Sequence, residues 1–123
     1  MMPVKIFTLQ AYFFGELRME KKHALICELL DYYAAILSPR QREVLELYYY
    51  DDLSLAEIAE NLGITRQGVR DAVKHGEEAL KGFENALGLM KKSKLISSSA
   101  EEIEKLTDDE HIKQLARNIL EVL

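Results

Sequence analysis

The sequence predicts an all-α protein, and three observations carry that prediction. Apolar residues recur at three- and four-residue spacing along most of the chain; its 123 residues hold only two prolines and six glycines; and residues 54–76 place two helix starts on either side of a tight turn. Ser54 and Glu57 form a capping box, in which each side chain satisfies an orphan N–H of the first turn. Ala59, Gly63 and Val69 then supply a small contact residue, a turn residue tolerant of positive φ and an apolar anchor, as two crossing helices require. Thr65 is a good N-cap for the second helix. Arg66, Arg70 and Lys74 follow at i, i+4 and i+8, so three cations line one face beside Gln67, while Val69, Ala72 and Val73 give the adjoining apolar stripe. Together these features spell a helix-turn-helix whose second helix is a recognition helix, with Thr65, Arg66, Gln67, Arg70 and Lys74 as candidate nucleic-acid contacts.

Size and composition fit one modest core with an appendage. Hydrophobic residues make up 48% and charged residues 30% of the chain, a profile that excludes global disorder. The formal charge is −5, and residues 40–76 carry five cations against seven anions. Counterion release scales with the phosphates neutralised, so a nucleic-acid-binding module with this balance must concentrate its cations on one face. The single cysteine, Cys27, excludes an intramolecular disulfide and suits a reducing cytoplasm.

Residues 1–18 are rich in apolar and aromatic side chains, but the run between Lys5 and Glu16 is too short to span a bilayer and no cleavage site follows. The segment reads either as packing, through Phe7, Tyr12 and Phe14, or as an upstream start ahead of Met19. From Glu20 to Leu37, Leu25, Ile26, Leu29, Leu30, Tyr33, Ile36 and Leu37 predict an amphipathic core helix. His23 and Cys27 lie four residues apart, yet nothing in the sequence completes a set of metal ligands, and neither a metal nor another cofactor is expected. Ser38-Pro39-Arg40-Gln41 starts the next helix at Pro39, with Val44, Leu45 and Tyr48 inward. Of the adjacent Tyr48, Tyr49 and Tyr50, at least one should be exposed; a stacking platform for bases is the functional reading, and ordinary boundary tyrosines the favoured one.

The recognition helix should run on to Leu87, with Gly88 as its stop signal. Val69, Val73, Gly76, Leu80, Phe83, Leu87 and Met90 alternate steps of four and three, the seam spacing of a coiled coil. Leu80, Phe83, Leu87 and Met90 are therefore candidates for a homodimer interface, the competing covers being the first helix and the C-terminal tail. Gly68, Gly76 and Gly82 within this helix suggest close helix approach or a bend. The sequence thus divides into an extension (1–18), a helix-turn-helix domain (19–90), a linker (91–99) and a helical appendage (100–123). In the appendage, Ser99 caps a short helix, and Thr107 with Glu110 opens another that turns Ile112, Leu115, Ile119 and Leu120 or Val122 inward. No phosphate loop or nucleophile motif is present, and an enzyme is not expected.

The stretch SPRQREVLELYYYDDLSLAEIAENLGITRQGVRDAVKHGEEAL from Ser38 is similar to the DNA-reading fourth region of bacterial sigma factors. With the opening MEKKHALICELLDYYAAILSPRQ from Met19 and the block ITRQGVRDAVKHGEEALKGFE from Ile64, the chain more closely resembles the YlxM family of small bacterial helix-turn-helix proteins. The resemblance covers about residues 19–90. It implies an all-helical cytoplasmic protein with an accessory or regulatory role in the signal recognition particle pathway, since the family is typically encoded beside the particle's GTPase or its receptor. The implied partners are particle RNA or DNA; the alternatives are an adaptor contacting the GTPase and a DNA-binding transcriptional regulator. Asp71, Glu77 and Glu78 stand where sigma factors are usually rich in arginine, which argues against a free-standing promoter-reading sigma factor.

Overall fold

The computed structural model describes residues 20–123, so the expectations for residues 1–18 lie outside the described residues. Every regular element among the described residues is helical, and the chain divides between Gly82 and Phe83 into two compact units.

In the first unit, α1 (20–33) passes through a 3₁₀ turn, Ala34–Ile36, to α2 (Pro39–Leu45). Ser38 caps α2 with the full box, its hydroxyl accepting from the Gln41 N–H and the Gln41 side chain accepting from the Ser38 N–H. Because α2 continues as a π turn over Glu46–Tyr50, its last carbonyls reach one residue further, with the Asp51 N–H donating to the Glu46 carbonyl at 3.1 Å. That widened turn splits the three tyrosines: Tyr49 is buried, Tyr48 half-buried and Tyr50 exposed. α3 (Leu55–Leu62) begins on the Ser54–Glu57 box and ends at Gly63, whose φ of 67° is the left-handed turn expected there. α4 (Arg66–Leu87) starts where the Thr65 hydroxyl accepts from the Gly68 N–H at 3.0 Å.

The core of this unit is drawn from all four helices, with Ile26, Leu30, Tyr33, Val44, Leu45, Ile58, Val69 and Leu80 fully buried. Removing each of these side chains from water is worth ~1.5–3 kcal/mol, so this core is what holds the turn between α3 and α4 in place. Gly76 shows how tightly α4 is seated: a Cβ built there would stand 2.7 Å from Leu45 Cδ1. Two α1 expectations need correction, since Leu25 and Ile36 are exposed, Ile36 because α1 has already given way to the 3₁₀ turn.

In the second unit, α5 (Leu89–Leu106) and α6 (Glu110–Glu121) pack as a hairpin. Gly88, at φ 61°, stops α4, and the Glu84 carboxylate accepts from the Met90 and Lys91 N–H groups to cap α5. The expected linker at 91–99 is therefore helix. Ser93, Ser97 and Ala100 lie at i, i+4 and i+7, and Ser93 and Ala100 are buried: a helical stripe made of small residues, which hydrophobic patterning overlooks. α6 starts later than expected. Its cap is Asp109, whose carboxylate accepts from the His111 and Ile112 N–H groups, while the Thr107 hydroxyl accepts from the Asp109 N–H. Ala116 is the buried residue of α6; Ile112, Leu115, Ile119 and Val122, expected inside, are exposed. Arg117 Nε donates to Glu104 Oε1 at 2.9 Å and ties the hairpin together.

The expected seam is also altered. Leu80 is fully buried in the first unit and cannot serve an interface between chains; Phe83 and Met90 are half-buried, and Leu87 is exposed. The break at Gly88 ends the continuous helix before a third heptad is complete.

Candidate nucleic-acid interface

The box at Ser54, the left-handed Gly63 and the Thr65 cap fix the angle at which α4 leaves the turn, and so aim one face of α4 outward. Arg66, Gln67, Arg70 and Lys74 are all exposed on it. None of the three cations is held in an ion pair with another described residue, which leaves their charge available to a ligand.

Two hollows lie along this face. Arg66, Gln67 and Arg70 line the first, of about 450 Å³, together with Leu55 at the start of α3. Arg70 and Lys74 continue into the second, of about 630 Å³, whose other walls come from Lys22 of α1, Tyr48 of the π turn and Lys81 further along α4. The expected ridge is thus one side of a longer basic surface. In the sequence Tyr48 stands out only within the run of three tyrosines whose functional reading is a stacking platform for bases, and Lys22 and Lys81 do not stand out as ligand contacts. Lys81 had a signal, since eleven residues beyond Arg70 is three helical turns and returns to the same face. Lys22 had none, because only the packing of α1 beside α4 brings it there.

The acidic residues are arranged to do little harm. Glu77 is turned inward, its side chain only 13% exposed, where it accepts from the Tyr49 hydroxyl and pairs with Lys22 Nζ at 3.4 Å. Tyr49 is held protonated well beyond the usual phenol range, first by burial and then by this bond to Glu77. Asp71 Oδ1 accepts from Gln67 Nε2 at 3.0 Å, which orients the Gln67 amide. Glu78 stays exposed on the wall of the larger hollow.

Beside Tyr49, whose ring centroid is 5.1 Å from that of His23, His23 Nε2 lies 3.7 Å from Asp52 Oδ1, and His23 Nδ1 lies 3.7 Å from Cys27 Sγ. Burial, with the charges of Asp31 and Asp52, pushes the Cys27 thiol up, away from the reactive thiolate. Among the described residues no group of three His, Cys, Asp or Glu is placed to hold a metal ion, and no helix is long and apolar enough to cross a membrane. The Tyr50 hydroxyl donates to Asp31, on α1.

Comparison with known proteins agrees with this geometry. The profile of the UPF0122 family, described as "Putative helix-turn-helix protein, YlxM / p13 like", matches residues 19–119. A UPF0122 protein of Caldanaerobacter subterraneus is 45% identical over 85 residues, 69% of this chain and 73% of that protein. One from Thermoanaerobacter sp. is 47% identical over 77 residues, 63% of this chain and 66% of that protein. A third, from Bacillus thuringiensis, is 34% identical over 96 residues, 77% of this chain and 87% of its own length.

Proposed function

The chain belongs to the UPF0122 family of YlxM / p13-like helix-turn-helix proteins, and from that premise we propose that it binds nucleic acid through the outward face of α4, as an accessory or regulatory protein of the signal recognition particle pathway. The observation that carries the reading is the line Arg66, Arg70 and Lys74: three exposed cations without ion-pair partners among the described residues, on the helix that the turn presents. Arg66 and Gln67 sit in the first turn, where free backbone N–H groups also favour a phosphate. Arg70 and Lys74 add one turn each. The ligand is particle RNA or a DNA site, and the pathway assignment follows from the family resemblance.

The test replaces Arg66, Arg70 and Lys74 together by Ala. These side chains are exposed, so the fold and its melting temperature should be unchanged while most affinity for labelled particle RNA and for duplex DNA is lost. Binding equal to that of the parent would remove nucleic acid from this face.

A second reading has its own observation. Leu89, Ile96 and Ile103 recur every seventh residue along α5 and are exposed, as are Ile112, Leu115 and Ile119 on α6. This is the surface on which we place a protein partner, the particle's GTPase or a second copy of the chain. Binding to the GTPase retained by the triple variant supports the first; sedimentation of the parent as a monomer at micromolar concentration removes the second.

A further inference from the structure

The larger hollow holds a combination that a phosphate ridge alone does not need. Lys22, Arg70, Lys74 and Lys81 line it against Glu77 and Glu78, an excess of two positive charges in a chain whose formal charge is −5. Because Glu77 is already engaged by Tyr49 and Lys22, Glu78 is the carboxylate left facing the space. An aromatic ring, Tyr48, forms part of the wall. It meets Tyr49 in a T-shaped contact, centroids 5.0 Å apart and planes at 85°. In that geometry at most one face of Tyr48 is taken by its neighbour, and the contact with a buried ring keeps Tyr48 in place. A fixed aromatic face, flanking cations, a hydrogen-bond acceptor and about 630 Å³ of space match the needs of a base with its phosphates.

We propose that this hollow, walled by Tyr48, Lys22, Lys74 and Lys81, receives an unpaired nucleotide of a single-stranded nucleic acid. The proposal rests on the nucleic-acid reading of α4 and deepens it. A base still stacked in a duplex cannot lie on Tyr48, because reaching the wall of a hollow requires leaving the stack; an unpaired or bulged nucleotide has already done so. Tyr48 stacks the base, and Lys22 and Lys81 hold the phosphates on either side. Glu78 accepts from the base's exocyclic amino group or ring N–H, while Arg66 and Gln67, in the neighbouring hollow, meet the next phosphate along the strand.

Fluorescence anisotropy on the full chain tests this, with single-stranded RNA, single-stranded DNA and duplex DNA of one sequence. The expected result is single strands bound about tenfold or more tightly than the duplex, a margin that Tyr48→Leu removes and Tyr48→Phe keeps. Lys81→Glu, at an exposed position that leaves the core intact, should weaken single-strand binding and lower the salt slope. Preference for RNA over DNA single strands would assign the ligand to RNA, and equal binding would support the nucleotide with either sugar. If Tyr48→Leu changes single-strand affinity by less than twofold, or duplex binds as well as single strands, the hollow is not a base site. If Tyr48→Leu has no effect while the Arg66, Arg70 and Lys74 triple variant loses binding, only the hollow is excluded; if the parent binds none of the three, both readings fall.

Discussion

In the unit that ends at Gly82, the fully buried side chains are large: Ile26, Leu30, Tyr33, Leu45, Ile58 and Leu80. In the unit that begins at Phe83 the buried residues are Ser93, Ala100 and Ala116, while Leu95 is 69% exposed and Leu106 79%. Both units are helical and both are capped, but their stability must come from different sources. A core of large side chains closes on itself, whereas a hairpin joined through serine and alanine gains close backbone approach and leaves its large side chains exposed. The first unit therefore holds the turn into α4 through a closed core, and the second leaves most of its large apolar side chains exposed.

Side-chain truncation should expose that difference most strongly. Leu45→Ala or Ile58→Ala should cost ~2–5 kcal/mol in denaturant unfolding, because each opens a cavity in a closed core. Leu95→Ala or Leu106→Ala should stay within about 0.5 kcal/mol, since neither is covered in the single chain. Equal losses in the two units would erase the distinction.

Two glycines of α4 give a smaller and sharper contrast. At Gly76 an added methyl meets Leu45, so Gly76→Ala should destabilise by ~1–3 kcal/mol through overpacking. At Gly82 nothing lies within 4 Å of an added Cβ, and Gly82→Ala should stabilise by ~0.5–1 kcal/mol from helix propensity. Thermal melts of the two variants should move in opposite directions.

Local chemistry made much of the first unit legible in advance. Ser38 with Gln41, Ser54 with Glu57, Gly63 and Thr65 each act within a few residues, and each stands where its spacing places it, as does Gly88 at the start of the second unit. The second unit was read less well because its pattern is inverted. Ser93, Ser97 and Ala100 form the stripe without looking hydrophobic, so the stretch reads as a linker, and the apolar face of α6 reads as inward although Ala116 is what packs. Ser98 even bonds its hydroxyl to the Lys94 carbonyl four residues back, satisfying itself inside the helix rather than ending it. At the candidate site, the ridge on one helix could be read from spacing. Lys22 and the inward turn of Glu77 could not, since both depend on α1 lying against α4.

The bond from Tyr49 to Glu77 adds an effect on stability that depends on pH. Tyr49 titrates above its ordinary value of 10.0 because the folded state favours the protonated phenol. The native state then binds more protons than the unfolded state once the pH passes that value, so stability is intact below about pH 10 and declines as pH rises further. Tyr49→Phe should flatten this alkaline decline while costing ~1 kcal/mol at pH 7 through the lost hydrogen bond. An unchanged alkaline profile in Tyr49→Phe would show that the decline arises elsewhere.

The proposed nucleic-acid role of the first unit turns on the charge carried by α4. Its most direct test is the salt dependence of duplex DNA binding by the parent, followed by the Arg66, Arg70 and Lys74 triple variant. Three neutralised phosphates predict that log K falls against log salt concentration with a slope of about −2.7, and that the slope largely disappears in the variant. A parent slope indistinguishable from zero, or the same slope in both proteins, would contradict the account.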